Sequence, residues 1–259
     1  MSALLFASKK IPNLLNLPSI HRCITISDRL SVSGSAVSSY DCVKVLHQRL
    51  RFTGKDDSHG RRPYIVLRVG MLGSVVHAQH AAKMVIAACD EISQMTFNIP
   101  HDHVLETFAK AIEEVTNTSI KGFRVDTGDD ATDTGWAVPV AVGPHVFEVS
   151  FSGFIDRRAP YYEDTGYSVY SNGCASVYLE PAFRTAVNIF KSNYGDIWKT
   201  PAHKVQEILL KVCSAVSDST NTVGRKWDVE VVDTDEFGRG LNDMLRWDLA
   251  QQNEENNNE

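Results

Sequence analysis

The chain has 259 residues, 43% hydrophobic and 22% charged, a balance that supports a sizeable core and excludes global disorder. Lys and Arg number 26 against 32 Asp and Glu, a net charge of −6, which argues against nucleic acid as a partner because that needs a broad basic surface. No apolar run approaches the roughly 20 residues of a membrane-spanning helix, so no membrane association is expected.

In chain order, residues 2–8 form a short apolar run suited to a buried strand. Residues 9–19 hold two prolines and two asparagines and read as a loop. Cys23–Ser27 is β-branched and alternating, a strand. Residues 30–37 alternate again, with Gly34 as a bend, and residues 42–50 are a further strand candidate. The polar stretch 54–62 reads as an exposed loop, and Tyr64–Val69 as a strong strand. The period then changes. Val75, Val76, Ala82, Val85, Ile86 and Ile92 recur at helical spacing, predicting a helix over 74–94. A second helix follows Pro100, with Val104, Leu105, Phe108, Ala111, Ile112 and Val115 on one face. Residues 126–134 read as an acidic loop, and 136–142 and 145–151 as a hairpin around Gly143-Pro144. A short strand at 167–170 precedes a third helix over 175–190, weakened by Pro181. Thr200-Pro201 predicts a helix start, with Thr200 as N-cap. Residues 227–232 alternate as a closing strand. The polar end, 246–259, reads as a disordered tail after one domain spanning 1–245.

Strands in blocks between helix pairs imply an α+β fold, a four-layer α-β-β-α sandwich rather than βαβ units. Five cysteines without a CxxC pair fit buried free thiols in a reducing compartment, and no metal or other cofactor is expected. Residues 1–27 carry Lys9, Lys10, Arg22 and several serines but no acid, as a mitochondrial transit peptide does. Pro12 and Pro18 interrupt the amphipathic helix that such a peptide needs. A cytoplasmic location is therefore expected, with mitochondrial as the alternative.

Three further motifs carry no function. Asp126-Thr127-Gly128 and Asp133-Thr134-Gly135 lie too close together to build the two lobes of an aspartic-protease site. His77 with His80, and His101 with His103, lack a third metal ligand. Thr53-Gly54-Lys55 lacks the upstream glycine of a phosphate loop.

The element order resembles that of proteasome β-type subunits, N-terminal-nucleophile (Ntn) hydrolases. Ile26-Ser27-Asp28-Arg29-Leu30-Ser31-Val32-Ser33-Gly34 is similar to the family's second-strand pattern, and Lys44 follows Asp28 by sixteen residues, the family's offset. Residues 70–77 resemble the family's glycine turn into its first long helix. Tyr170-Ser171-Asn172-Gly173 resembles the turn before its third, and Val216-Ser217-Asp218 the end of its last.

The resemblance implies a peptidase. Its nucleophile is Ser2, freed by loss of Met1, with the α-amine of Ser2 as base; an amine of pKa about 7.7–8.0 serves near neutral pH. It further implies that Lys44 supplies positive charge, Asp28 anchors Lys44, the Gly73 N–H binds the oxyanion, and Asp218 orients the amine or a water. Implied partners are the chain itself in a homo-oligomeric ring or related subunits, an ATP-dependent unfoldase and a peptide substrate. The chain departs from the family in having Ser2 for the usual Thr, Leu30 for an Arg, and Asn172 for a Ser. It also carries about ten extra residues before Asp28 and an insertion between Lys44 and Tyr64. These departures keep a second expectation open, a non-catalytic proteasome-like subunit acting as an assembly or scaffold partner.

Overall fold

The computed structural model describes residues 3–11, 20–33, 36–39, 41–51, 64–95, 101–127, 135–157, 166–220, 223–235, 238 and 240. The strands are β1 (Leu4–Ile11), β2 (Ile20–Asp28), β3 (Ser31–Ser33), β4 (Ala36–Ser39), β5 (Val45–Arg51), β6 (Tyr64–Gly70), β7 (Leu72–Gly73), β8 (Trp136–Val142), β9 (His145–Ser150), β10 (Gly153–Arg157), β11 (Ser168–Asn172) and β12 (Trp227–Thr234). The helices are α1 (Val75–Met95), α2 (His101–Thr127), α3 (Ser176–Tyr194) and α4 (Ala202–Ser219).

One sheet runs β11-β1-β2-β12; the other runs β10-β9-β8-β6-β5, with β7 also paired to β8. Every pairing is antiparallel. Pleat alternation divides the apolar run at the start of β1. Ala3, Leu5 and Ala7 pack with Ile24 and Ile26 of β2 under α3 and α4. Leu4 and Phe6 face the other way, against Val45, Leu72 and Ala141 of the second sheet. A third cluster joins that sheet to α1 and α2 through Val69, Val85, Phe108, Ile112, Val138 and Phe147. The layers are thus helices, sheet, sheet, helices, the α-β-β-α sandwich that the element order predicts.

Several boundaries differ from the sequence reading. Lys9–Ile11 extend β1 rather than opening a loop, because each pairs across to β2 as far as Ile11 with Ile20. Where the reading has one alternating stretch over 30–37, Ser31–Ser33 and Ala36–Ser39 are two paired strands, β3 and β4, and the bend expected at Gly34 lies outside the described residues. The strand expected from residue 42 begins at Val45, and Gly153–Arg157 adds an edge strand that the reading lacks. Helix α2 runs through Thr127, into the residues read as an acidic loop. Pro181 sits inside α3, where the missing N–H falls opposite the carbonyl of the exposed Val177. Thr200 does not cap α4: Pro201 holds that place, and the Thr200 hydroxyl donates to the Asp196 carbonyl at 3.2 Å. Of the cysteines, all free, Cys23, Cys89 and Cys213 are buried, whereas Cys42 and Cys174 reach the surface. Burial pushes the Cys89 and Cys213 thiols up to about 12. The loop expected at 54–62 and the tail at 246–259 lie outside the described residues. Among the described residues no helix is long and apolar enough to cross a membrane.

Among the described residues, two arginines are buried in the sandwich. Arg68 of β6 bridges the sheets, donating to Thr25 Oγ1 at 3.0 Å and to the Gly143 carbonyl, with its guanidinium over the Phe6 ring. Arg22 of β2 pairs with Asp233 and donates to the Thr200 carbonyl, fastening the entry of α4 to the sheet. At that end of the molecule His21 is pushed down to about 4, first by burial and then by His145 and Lys10, with Asp235 opposing. An unfolded histidine takes its proton near 6.5, so between pH 6.5 and 4 the unfolded chain holds the extra proton. Stability should therefore fall as pH drops through that window. Melting curves at pH 7, 5.5 and 4.5 test this, with His21→Gln expected to flatten part of the slope.

Candidate active site

Asp28 ends β2 and is fully buried. Its Oδ1 accepts the Lys44 Nζ at 2.6 Å and the Ala3 N–H at 2.8 Å, and its Oδ2 accepts the Leu30 N–H at 3.3 Å. The Asp28 N–H in turn donates to the Ala3 carbonyl at 3.2 Å. One residue thereby grips both polar groups of Ala3, the first described residue of the chain. Lys44 is only 5% exposed. A buried carboxylate is costly without a cation and further donors, and this one has both.

Lys44 is placed by its backbone as well. Its carbonyl accepts the Met71 N–H at 2.8 Å, tying the residue before β5 to the turn after β6. The segment before it is tied by Arg29: the Arg29 carbonyl accepts the Cys42 N–H at 2.8 Å, and the guanidinium pairs with Asp41 and Asp228. Hydrogen bonds from the Arg29 guanidinium to Asp228, then to Asp41, raise its already high pKa further.

Gly73 follows, at the mouth of α1. Its φ is +79°, a conformation that L side chains rarely adopt, and a Cβ there would stand 2.0 Å from the Gly135 carbonyl oxygen. The close approach comes from the pairing of β7 with β8, Gly73 opposite Trp136. Ser74 then starts α1, its carbonyl accepting the Ala78 N–H and its hydroxyl bonded to His77 Nδ1 at 2.7 Å.

A cavity of about 360 Å³ opens beside these groups. Lys44 and Gly73 lie on its wall with Leu30, Met71, Val75 and Trp136, and Glu148, Asn172, Gly173 and Cys174 line it as well. The structure thus brings Asp28, Lys44 and Gly73 together, from positions up to 45 residues apart in the chain. Asp218 is exposed near the end of α4 and is not on the cavity wall. Its neighbour Ser217 points inward instead, donating to the Gly224 carbonyl and accepting the Trp227 Nε1–H, each at 2.8 Å. Ser2 lies outside the described residues.

The sequence reading missed Glu148 and its partner Tyr170, whose hydroxyl donates to Glu148 Oε2 at 2.8 Å. The available signal was the alternation of β9, which sets Val146, Glu148 and Ser150 on one face. Alternation alone does not tell that face from a solvent-facing one.

No family model matches the chain, and no curated protein matches it. Solved structures do. Anbu (ancestral beta-subunit) from Yersinia bercovieri aligns over 98% of this chain and 94% of its own at 15% identity, with a TM-score of 0.52. Anbu from Hyphomicrobium sp. strain MC1 aligns over 90% and 83% at 12% identity, TM-score 0.47. Eukaryotic HslV from Trypanosoma brucei aligns over 88% and 98% at 14% identity, TM-score 0.46. The Yersinia likeness spans nearly the whole of both chains, and the fold is the proteasome-like, Ntn-hydrolase sandwich that the sequence resemblance implied.

Proposed function

We propose that this chain is an N-terminal-nucleophile hydrolase that cleaves peptides, with Ser2 as nucleophile after loss of Met1. The observation that carries this reading is the double grip of Asp28 on Ala3. Asp28 Oδ1 accepts the Ala3 N–H at 2.8 Å and the Lys44 ammonium at 2.6 Å, so Ala3 is held to the same carboxylate oxygen as the positive charge that this mechanism uses. In this mechanism the Ser2 α-amine takes the hydroxyl proton, directly or through a water, and Oγ attacks the substrate carbonyl. The Gly73 N–H stabilises the oxyanion, and Lys44 favours the neutral amine and the developing alkoxide. The C–N bond breaks, the leaving amine takes the proton, and water then hydrolyses the Ser2 ester. Asp218, exposed on α4, is left out of this set.

The exposed apolar side chains Val76, Val177 and Tyr178, on α1 and α3, support association with copies of the chain or related subunits; a ring fed by an ATP-dependent unfoldase is the form of that assembly proposed from the family resemblance alone. The same surface supports the second reading, a non-catalytic assembly subunit.

The mass of the intact native protein, with sequencing of its first peptide, separates the two. The hydrolase reading expects loss of Met1 alone, an unmodified Ser2, peptide turnover, and no turnover in Ser2→Ala. Retained Met1 or an acetylated Ser2 removes the base and leaves the assembly role.

A further inference from the structure

We propose that Glu148 recognises a cationic group of the substrate, so that the peptides accepted here carry a lysine or arginine side chain beside the bond attacked. The inference rests on the hydrolase reading above.

Strand β9 sends Phe147 and Val149 into the core beneath α1 and α2. Its other face turns towards the first sheet, where Val146 packs on the cluster of Leu4, Phe6 and Tyr170. Two residues further along that face, at the cavity, an apolar side chain gives way to a carboxylate. Glu148 is half-buried there, even partial burial of a charge costs stability, and no protein cation pairs with it among the described residues. What holds it is a neutral chain of hydrogen bonds. Tyr170, 7% exposed and stacked on Phe6, donates its hydroxyl to Oε2 at 2.8 Å. Asn172 Nδ2 donates to that same hydroxyl at 2.9 Å, and Asn172 Oδ1 accepts the Gly173 N–H at 2.6 Å. One carboxylate oxygen is thereby tied back into the core, and Oε1 is left for the cavity.

The charge count gives the ligand its sign. Among the described residues on the cavity wall only Lys44 and Glu148 are charged. Lys44 already has its counter-charge in Asp28 at 2.6 Å, whereas Glu148 is the carboxylate on that wall with no protein cation beside it among the described residues. A guanidinium or ammonium there makes a charge-assisted hydrogen bond in a partly enclosed, low-dielectric space. Ser150 and Ser152, whose hydroxyls lie 2.9 Å apart on the same wall, offer further acceptors. Leu30, Met71, Val75 and Ala78 give the aliphatic stem of such a side chain an apolar wall.

The test compares wild type with Glu148→Gln, which keeps an acceptor for the Tyr170 hydroxyl and removes only the charge. Two capped fluorogenic peptides are used, identical except for arginine in one and norleucine in the other. Wild type should prefer the arginine peptide, and the variant should lose roughly 10- to 100-fold in kcat/KM on it, the range of a hydrogen bond to a charged group. The norleucine peptide should be unaffected. Equal losses on both peptides would overturn the proposal, and with a shifted pH profile would assign Glu148 to the protein's own N-terminal amine. Calorimetric binding of acetyl-Ala-Arg-Ala-amide and its norleucine counterpart decides the matter without turnover. Binding selective for arginine in wild type and lost in Glu148→Gln supports recognition even if no peptide is cleaved, a result that would defeat the hydrolase reading alone. Binding that is equal for the two peptides, or absent for both, overturns the proposal.

Discussion

Lys44→Ala should abolish peptide turnover and lower the melting temperature, while leaving a folded chain that still associates. Two consequences of one deletion are expected, and they differ in kind. The structural one follows from Asp28, which is fully buried and accepts Lys44 at 2.6 Å. Without the ammonium, Asp28 keeps, among the described residues, the N–H groups of Ala3 and Leu30. Breaking a buried pair by removing one partner costs about 3–5 kcal/mol. The chemical consequence is loss of the positive charge beside the nucleophile, and removing one preorganised group of this kind costs roughly 100- to 1,000-fold in rate. Lys44→Met, which keeps the bulk of the side chain, separates the two further: it should lose activity as completely as Lys44→Ala. The check is kcat on a capped peptide, measured well below each variant's melting temperature, with sedimentation to confirm association. Turnover at the wild-type level in either variant would remove Lys44 from the mechanism.

How much of this was legible beforehand depends on what each residue's signal was. The β1 run from Ala3 to Ala7 is apolar at every position because β1 is covered on both faces, and such a run reads directly as a buried strand. The long helices announced themselves by period. The sixteen-residue offset from Asp28 to Lys44 carried the pair, through the resemblance to proteasome β-type subunits and not through any local signal. What failed were features set by tertiary partners. Lys9, Lys10 and Ile11 look like the start of a loop, and only pairing to β2 makes them strand. Thr200 looks like a cap, but its carbonyl serves Arg22 and its hydroxyl serves Asp196, so the helix starts one residue on. Asp218 and Ser217 differ by one position on α4, about 100° of rotation on a 3.6-residue turn, and that sets which of them faces Trp227 and Gly224. Glu148 could not be told from a solvent-facing residue until Tyr170 of the other sheet was seen beside it.

Gly73→Ala is the second substitution of large effect, and it tests whether the turn into α1 does more than connect two elements. At φ +79° any side chain is strained, by about 1–2 kcal/mol. A Cβ would in addition meet the Gly135 carbonyl oxygen at 2.0 Å and the Trp136 Cα at 2.9 Å, so β7 and β8 must move apart. Both neighbours are backbone and cannot rotate away. The expected loss is roughly 2–5 kcal/mol in all, with overpacking adding about 1–3 kcal/mol to the strain. At about 2–4 °C per kcal/mol for a chain of this size, the melting temperature should fall by on the order of 10 °C. Gly166→Ala is the matching control: its φ is +72°, but an added Cβ meets nothing within 4 Å, so only the strain should register. Activity then separates a structural turn from an oxyanion site. Movement of β7 carries the Gly73 N–H with it, and a displacement near 1 Å is enough to cost about 100-fold in a positioned reaction. If Gly73→Ala, assayed cold and fully folded, retains wild-type kcat while Gly166→Ala also does, the oxyanion must be bound elsewhere. A rate loss confined to Gly73→Ala ties that N–H to the chemistry.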